Sequence, residues 1–349
     1  MKKRILVAPL NWGIGHATRC IPIINGLLDE GFDPIIASDG EALQLLKKEF
    51  KDLIFVELPS YNIRYSKTKS AFKWLLFLQL PKIRKAINRE HKLVRKIIHD
   101  YAIEGIISDN RLGVYSSKVP SVFTTHQLTV LSGNTTKFST FLHTCYIKKF
   151  NECWVPDFEG EPNLSGKLSH NFKSKELTIK YIGALSRLKK TETKPKNRFM
   201  VLLSGPEPQR SILEERLLDE LKVLPGLIIF VRGKIEVEQV IVNQPPFAIY
   251  NFMEAEELQK HINNSDIIIS RSGYTTIMDL AKLGKQAFFI PTPGQFEQEY
   301  LAKYLEKSKI APYCEQDDFS LSQLNKSVNY SGFKSFENEI DFKQLFSLF

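Results

Sequence analysis

Short apolar runs of strand character alternate with helical patterns along the whole chain, and this alternation limits the fold more than any other feature of the sequence. Residues 4–8, 34–37, 53–57, 105–108, 121–124 and 152–155 carry the runs in the first half, and residues 199–203, 227–231, 247–250, 266–269 and 287–290 carry them in the second. Strands separated by helices need crossover connections, which make a sheet parallel and place helices on both of its faces. Between the two series, residues 188–197 (LKKTETKPKN) have no apolar residue after Leu188, the composition of an exposed linker. The chain therefore reads as α/β, with two doubly wound domains in tandem: residues 1–188, a linker at 189–197, and residues 198–332. Its 349 residues let each half bury a core of its own. Residues 333–349 carry a weak helical pattern, expected to form a terminal helix that packs back on the first domain.

Charge is distributed unevenly. The net charge of +9 is matched by the segment between Tyr61 and Tyr101, where eleven lysines and arginines face two carboxylates. Ile83, Ile87, Val94 and Ile98 recur there at helical spacing, beside the aromatic stretch 71–80 (AFKWLLFLQL). A basic amphipathic helix of this kind suits an anionic membrane surface, with residues 64–99 as the contact; the alternative is a core stripe with solvated charges. No nucleic-acid recognition motif accompanies the charge. Cys20, Cys145, Cys153 and Cys314 lie far apart and form no C-x-x-C pair, so neither a zinc site nor a disulfide framework is suggested and a reducing cytoplasm fits best. The basic and then apolar start reads as a first strand rather than a signal peptide, and no apolar run approaches the length of a membrane span.

The first strand runs into residues 11–19 (NWGIGHATR), followed by an apolar helix expected at 21–28. A glycine loop between strand and helix brings backbone amides close to a ligand. The dinucleotide pattern G-x-G-x-x-G would need glycine at position 18, where Thr18 stands, so NAD is disfavoured. Gly13 and Gly15 are candidate ligand-side glycines, and His16 directly after them is a candidate general base at the carboxyl edge of the sheet, unless it only caps the helix. Asp109, in residues 107–111 (ISDNR), is a rival for that role. His126, in residues 124–127 (TTHQ), follows the next strand and is placed to line the same edge on the acceptor side.

In the second half, residues 266–269 lead into 270–276 (SRSGYTT) and a helix expected at 277–283. Hydroxyl residues and Gly273 at a helix N-terminus form an anion site, unless they only cap the helix. Asp279 on that helix could accept two hydroxyls of a polyol. A second helix start, residues 204–210 (SGPEPQR), contributes Ser204, Gly205 and Arg210 as candidates for the same anion. After the strand at 287–290, residues 291–299 (PTPGQFEQE) place Glu297 and Gln298 where sugar hydroxyls could be read, although such residues also suit a solvated helix start.

The stretch 251–302 resembles the MurG-like family 28 glycosyltransferases. Residues 251–253 (NFM), 265–273 (SDIIISRSG), Asp279, Gly284, Ile290-Pro291 and Glu297-Gln298 fall in that family's order and spacing, and the likeness extends over most of the chain. The resemblance implies the GT-B fold, two Rossmann-like domains facing across a cleft. It further implies that Arg271, Ser272, Gly273 and Thr275 lie near a diphosphate, that Asp279 holds ribose, that Phe252 brackets uracil, and that Glu297 and Gln298 read the donor sugar. Two positions depart from the family: Asp279 replaces a glutamate, and residues 204–208 (SGPEP) replace a glycine-rich loop. Residues 13–19 are similar to a bacterial and archaeal branch whose acceptors the resemblance does not supply.

The activity implied by the resemblance is that of an inverting glycosyltransferase of the hexosyltransferase class, moving a hexosyl or N-acetylhexosaminyl group from a UDP-sugar to a glycan or lipid-linked acceptor. The sequence contains no D-x-D motif, and neither a metal nor a cofactor is expected, helix termini replacing a cation at the leaving diphosphate. The expected location is cytoplasmic, peripheral to the inner face of the membrane. The alternatives are a non-catalytic sugar-nucleotide binding protein and a GT-B-like UDP-sugar epimerase.

Overall fold

The computed structural model describes residues 2–61, 69–170, 172, 176–234, 236–336 and 339–349, residues 69–80 by backbone alone. The chain divides into two compact units, residues 1–185 with 339–349, and residues 186–338.

The first unit runs β1 (Arg4–Pro9), α1 (Ile14–Asp29), β2 (Asp33–Ser38), α2 (Gly40–Glu49), β3 (Ile54–Glu57), α3 (Lys69–Tyr101), β4 (Ile103–Asp109), β5 (Ser121–Thr124), α4 (Thr136–Ile147), β6 (Glu152–Val155) and β7 (Thr178–Tyr181). Its sheet is parallel throughout, in the order β3-β2-β1-β4-β5-β6-β7. The order reverses between β1 and β4, and loops diverge at such a point to leave a crevice at the carboxyl ends of the two strands. β1 is buried from Ile5 to Ala8, as a strand covered by helices on both faces must be.

Helix α1 starts at Ile14, seven residues before the apolar pattern suggested. Gly13, at φ 81°, makes the turn that lets the helix begin inside the glycine loop. His16 therefore lies in the first turn of α1 and not in the loop. Strand β7, at the edge of its sheet, was not apparent in the sequence: edge strands are covered less completely and keep a weaker apolar pattern.

The apolar stripe of α3 is a core seam. Ile87, Val94 and Ile97 are buried, and Ile83 and Ile98 pack against the same clusters. Between residues 82 and 96 the lysines and arginines point to solvent. This corrects the expectation of a lipid-facing helix over that part, because its apolar face is already used inside the protein. The side chains of the aromatic stretch 71–80 and residues 64–68 lie outside the described residues. Among the described residues, no helix is long and apolar enough to cross a membrane.

The second unit runs β8 (Asn197–Leu202), α5 (Gln209–Leu221), β9 (Ile228–Val231), β10 (Ile241–Gln244), β11 (Phe247–Tyr250), α6 (Ala255–Asn263), β12 (Ser265–Ser270), α7 (Tyr274–Lys282), β13 (Gln286–Phe289), α8 (Phe296–Lys307) and the single turn α9 (Leu321–Leu324). The sheet order is β10-β11-β9-β8-β12-β13, all parallel except the exposed edge strand β10. Here the order reverses between β8 and β12. Residues 189–196, within the expected linker, are exposed. Ser186 and Leu188 are buried, and Lys189 and Thr191 donate backbone amides to Gln259 Oε1 (2.6 Å) and Asn263 Oδ1 (3.2 Å) on α6.

The C-terminal stretch is not one helix. Phe333 packs beside Phe289 in the second unit, whereas α10 (Phe342–Leu345) and the residues after it belong to the first. Asp341 caps α10 by accepting the Gln344 amide at 2.9 Å. Phe346 lies against Phe32 and Trp154. Glycines make room for this tail: a Cβ on Gly26 would stand 2.6 Å from the Phe342 ring, and one on Gly105 would overlap Phe349. Gly26→Ala and Gly105→Ala are each expected to lower stability by about 1–3 kcal/mol, the usual cost of overpacking. Thermal unfolding, together with faster proteolysis of residues 339–349, would check this; unchanged values would mean the tail contributes nothing.

Candidate functional site

At the reversal point of the first sheet, β1 leads into α1 carrying His16, β4 ends in Asp109, and the neighbouring β5 leads into His126. Sheet order thus brings together three side chains that are far apart in sequence. His16 Nδ1 lies 2.5 Å from Asp109 Oδ1. Arg19, on the same face of α1 one turn later, holds the carboxylate through both its Nε, at Asp109 Oδ2, and its Nη2, 2.6 Å from Oδ1. Its Nη1 donates to His126 Nδ1 at 3.2 Å. Asp109 is fully buried and Arg19 nearly so.

His16 Nδ1 also lies 2.8 Å from Arg19 Nη2, so Asp109 and Arg19 pull its tautomer in opposite directions. Burial alone would raise Asp109, but Arg19 and His16 overcome it and hold the carboxyl at about 2. The ionised carboxylate only accepts, and in the tautomer that donates Nδ1–H to it Nε2 keeps its lone pair; Arg19 Nη2, which only donates, favours the other tautomer. Burial and the Arg19 charge lower the His16 pKa against the pull of Asp109, so the ring is neutral at pH 7. The imidazole remains partly exposed, with 13% of its side-chain surface accessible. A neutral imidazole protonated at Nδ1 can take a proton from a hydroxyl at Nε2. Gly13 is exposed, Gly15 half-buried, and Trp12 and Ile14 project to solvent on either side of Gly13. Arg19 was not singled out in the sequence, although its place three residues after His16 would have drawn attention to it once α1 was known to begin at Ile14.

Beneath these residues, Arg111 ties the loops together. It donates to Glu90 Oε1 (2.6 Å), Asp39 Oδ1 (2.8 Å) and the Pro59 carbonyl (2.8 Å), and it also reaches the Pro9 carbonyl at 3.3 Å. The end of β1 is thereby fixed to β2 and α3 by a network in which one guanidinium holds two carboxylates.

At the reversal point of the second sheet, Gly273 is the N-cap of α7 and brings no side chain to it, and a Cβ there would meet nothing within 4 Å. Thr275 is half-buried in the first turn, while the Ser272 hydroxyl is turned inward to the Gln298 carbonyl at 2.8 Å. Asp279 lies half-buried on the same helix and accepts the Ser186 hydroxyl at 2.6 Å. Burial pushes its pKa up to about 6, against the effects of Ser186 and Arg187. Ser204 and Gly205 are exposed in the loop after β8, with Gly205 at φ 104°. Phe252 is half-buried after β11, its amide held by Asn251 Oδ1 at 3.0 Å. That position is three strands along the same edge from β12, roughly 14 Å at the usual strand spacing. Glu297 is half-buried at the start of α8, and Gln298 uses its Oε1 to hold the Thr292 amide at 2.8 Å.

Two of the expected anion ligands, Arg271 and Arg210, are engaged by protein groups. Arg271 is buried and donates to the carbonyls of Ile290 and Pro291 (3.1 Å each), to the Gln209 carbonyl (2.8 Å) and to Gln316 Oε1 (2.7 Å). It joins the β13–α8 loop to the start of α5, and its Nε is buried with no hydrogen-bond partner among the described residues. Arg210 is buried in a network with Glu207, Glu214 and the Arg232 carbonyl. By contrast Arg187, which the sequence did not single out, is half-buried beside Asp279 with no ion pair among the described residues. Residue type signals a cation, but only the packing shows which cation is already neutralised.

Residues 211–339 match the glycosyltransferase family 28 C-terminal domain. The chain is 25% identical over 340 residues to a Clostridium tetani protein, UDP-N-acetylglucosamine--N-acetylmuramyl-(pentapeptide) pyrophosphoryl-undecaprenol N-acetylglucosamine transferase, covering 95% of this chain and 90% of that one. Among solved structures it is similar to Acinetobacter baumannii MurG, with a TM-score of 0.61 at 13% identity over 99% of this chain and 98% of the other. It is also similar to the spinosyn rhamnosyltransferase SpnG, with a TM-score of 0.66 at 12% identity over 95% and 93%.

Proposed function

We propose that this chain, a MurG-like family 28 glycosyltransferase of GT-B fold, is an inverting enzyme that moves a hexosyl or N-acetylhexosaminyl group from a UDP-sugar to a hydroxyl of a lipid-linked or saccharide acceptor. The observation that carries the catalytic part is the His16–Asp109 pair, an imidazole whose Nδ1 lies 2.5 Å from a buried carboxylate, and the reading takes Nδ1 as the protonated nitrogen. In this reading Nε2 removes the acceptor proton, the acceptor oxygen attacks the anomeric carbon, and the bond from that carbon to the β-phosphate oxygen breaks. UDP leaves with the electron pair, and attack opposite the leaving group inverts the centre. The proton stays on His16, where Asp109 stabilises the imidazolium.

The donor nucleotide belongs to the second unit. The diphosphate is assigned to the amides that open α7, with Arg187 as the cation; Ser204, Gly205 and Thr275 lie on the same edge. Ribose is assigned to Asp279, uracil to the Phe252 turn, and the sugar to Glu297 and Gln298. Neither a metal nor an organic cofactor takes part in this reading. The acceptor named for the Clostridium tetani relative is attached to pyrophosphoryl-undecaprenol. A similar acceptor here would bring the enzyme to the cytoplasmic face of the membrane, with the exposed basic side of α3 as a candidate for attraction to anionic headgroups.

Calorimetric titration with UDP, GDP and NAD is the first test: selective UDP binding is expected, and folded protein that ignores UDP would sink the donor assignment. Asp279→Ala is expected to weaken UDP binding by about 1.5–3 kcal/mol, the range for hydrogen bonds to a charged group. Unaltered affinity would remove Asp279 from the nucleotide site.

A further inference from the structure

Ser186 is the first residue of the second unit, and its hydroxyl is fully engaged. It donates to Asp279 Oδ1 at 2.6 Å and accepts the Leu188 amide at 3.0 Å. The segment carrying it is anchored by the burial of Leu188 and by the bonds from Lys189 and Thr191 to α6. The hydroxyl is therefore a fixed donor rather than a mobile surface group. We propose that Ser186 is a positioning residue for the donor nucleotide, its hydroxyl fixing one oxygen of Asp279 so that the other is presented to the two ribose hydroxyls.

The inference rests on the assignment of Asp279 to ribose. An ionised carboxylate offers several lone-pair positions, of which Ser186 occupies one. Two neighbouring hydroxyls are held most strongly by the ionised carboxyl, which only accepts, and burial opposes that state at this position. Hydrogen-bond donation from Ser186 favours the ionised form, as does the charge of Arg187 from the same segment. An aspartate also has a shorter reach than a glutamate, so the direction of its carboxylate matters more. Tethering one oxygen to an anchored hydroxyl supplies that direction.

The test is titration of wild type, Ser186→Ala and Ser186→Thr with UDP and with 2′-deoxy-UDP across pH 5 to 8. Wild type should favour UDP over the deoxy form. Ser186→Ala should lose about tenfold in UDP affinity and much less in affinity for the deoxy form, so that discrimination collapses. The pH below which UDP binding weakens should also rise, because the carboxyl then protonates more readily. Ser186→Thr, which keeps the hydroxyl, should restore both. A Ser186→Ala protein that discriminates as well as wild type, with an unmoved pH profile, would overturn the role of Ser186 while leaving Asp279 on the ribose. Wild-type protein that binds both nucleotides equally would remove Asp279 from the ribose, and this proposal with it.

Discussion

Replacing His16 with alanine is expected to reduce turnover by about a hundred- to ten-thousand-fold, the range supplied by a positioned general base, while UDP affinity stays within twofold of wild type. The separation follows from the fold, since His16 opens α1 in the first unit and the nucleotide ligands are assigned to the second. Asp109→Asn should be comparably damaging for a different reason. An amide can present its NH2 to Nδ1, which would move the imidazole proton to Nε2 and leave no lone pair for the acceptor. It also leaves the buried Arg19 without its counter-charge. The pH dependence adds a sign. Protonation of His16 removes the base, and burial together with Arg19 lowers its pKa, so the acid limb of kcat/KM should fall below pH 6.5. UDP-sugar turnover assays across pH would show this. Undiminished turnover in His16→Ala would falsify the assignment, and an acid limb above 6.5 would mean that a different group controls the profile.

The alternation of apolar runs was enough to read two parallel sheets, because strands buried on both faces leave continuous apolar stretches such as residues 5–8 and 267–269. The edge strands β7 and β10 were missed because they are only partly covered, so solvent-facing residues interrupt the pattern. Asp109 was legible because it directly follows a strand run, and His16 because it follows the glycine pair in the loop after one, the place where open α/β sheets bind ligands. Their 2.5 Å contact was not legible, since it depends on β1 and β4 being neighbours across 93 residues of sequence. The polar partners were the hardest to read. Arg19, Arg111 and Arg271 have the composition of surface residues, yet each is buried, and only side-chain direction separates them from the half-buried Arg187. Ser186 was hidden for the same reason, one serine beside what looked like a free linker.

That difference between arginines leads to the largest stability effect expected here. Arg271→Ala should destabilise the second unit by about 3–5 kcal/mol. Four oxygens lose their donor at once: the carbonyls of Gln209, Ile290 and Pro291, and Gln316 Oε1. Each buried acceptor left unpaired costs about 1–3 kcal/mol, and relief from burying a guanidinium returns part of the sum. That burial cost is visible in Arg271 itself, whose pKa is lowered to about 10, still well above neutrality. Arg271→Lys should recover only part of the loss, because three donors at one point cannot reproduce a planar fork that reaches four acceptors. Arg187→Ala should behave in the opposite way: within about 0.5 kcal/mol of wild type in stability, as for a surface substitution, but weaker in UDP binding by about 1.5–3 kcal/mol through loss of a charged contact to the diphosphate. Thermal unfolding and UDP titration on the two variants measure both quantities. If Arg271→Ala were stable but blind to UDP, and Arg187→Ala bound normally, the diphosphate would have to be reassigned to Arg271, with its carbonyl contacts exchanged for the ligand.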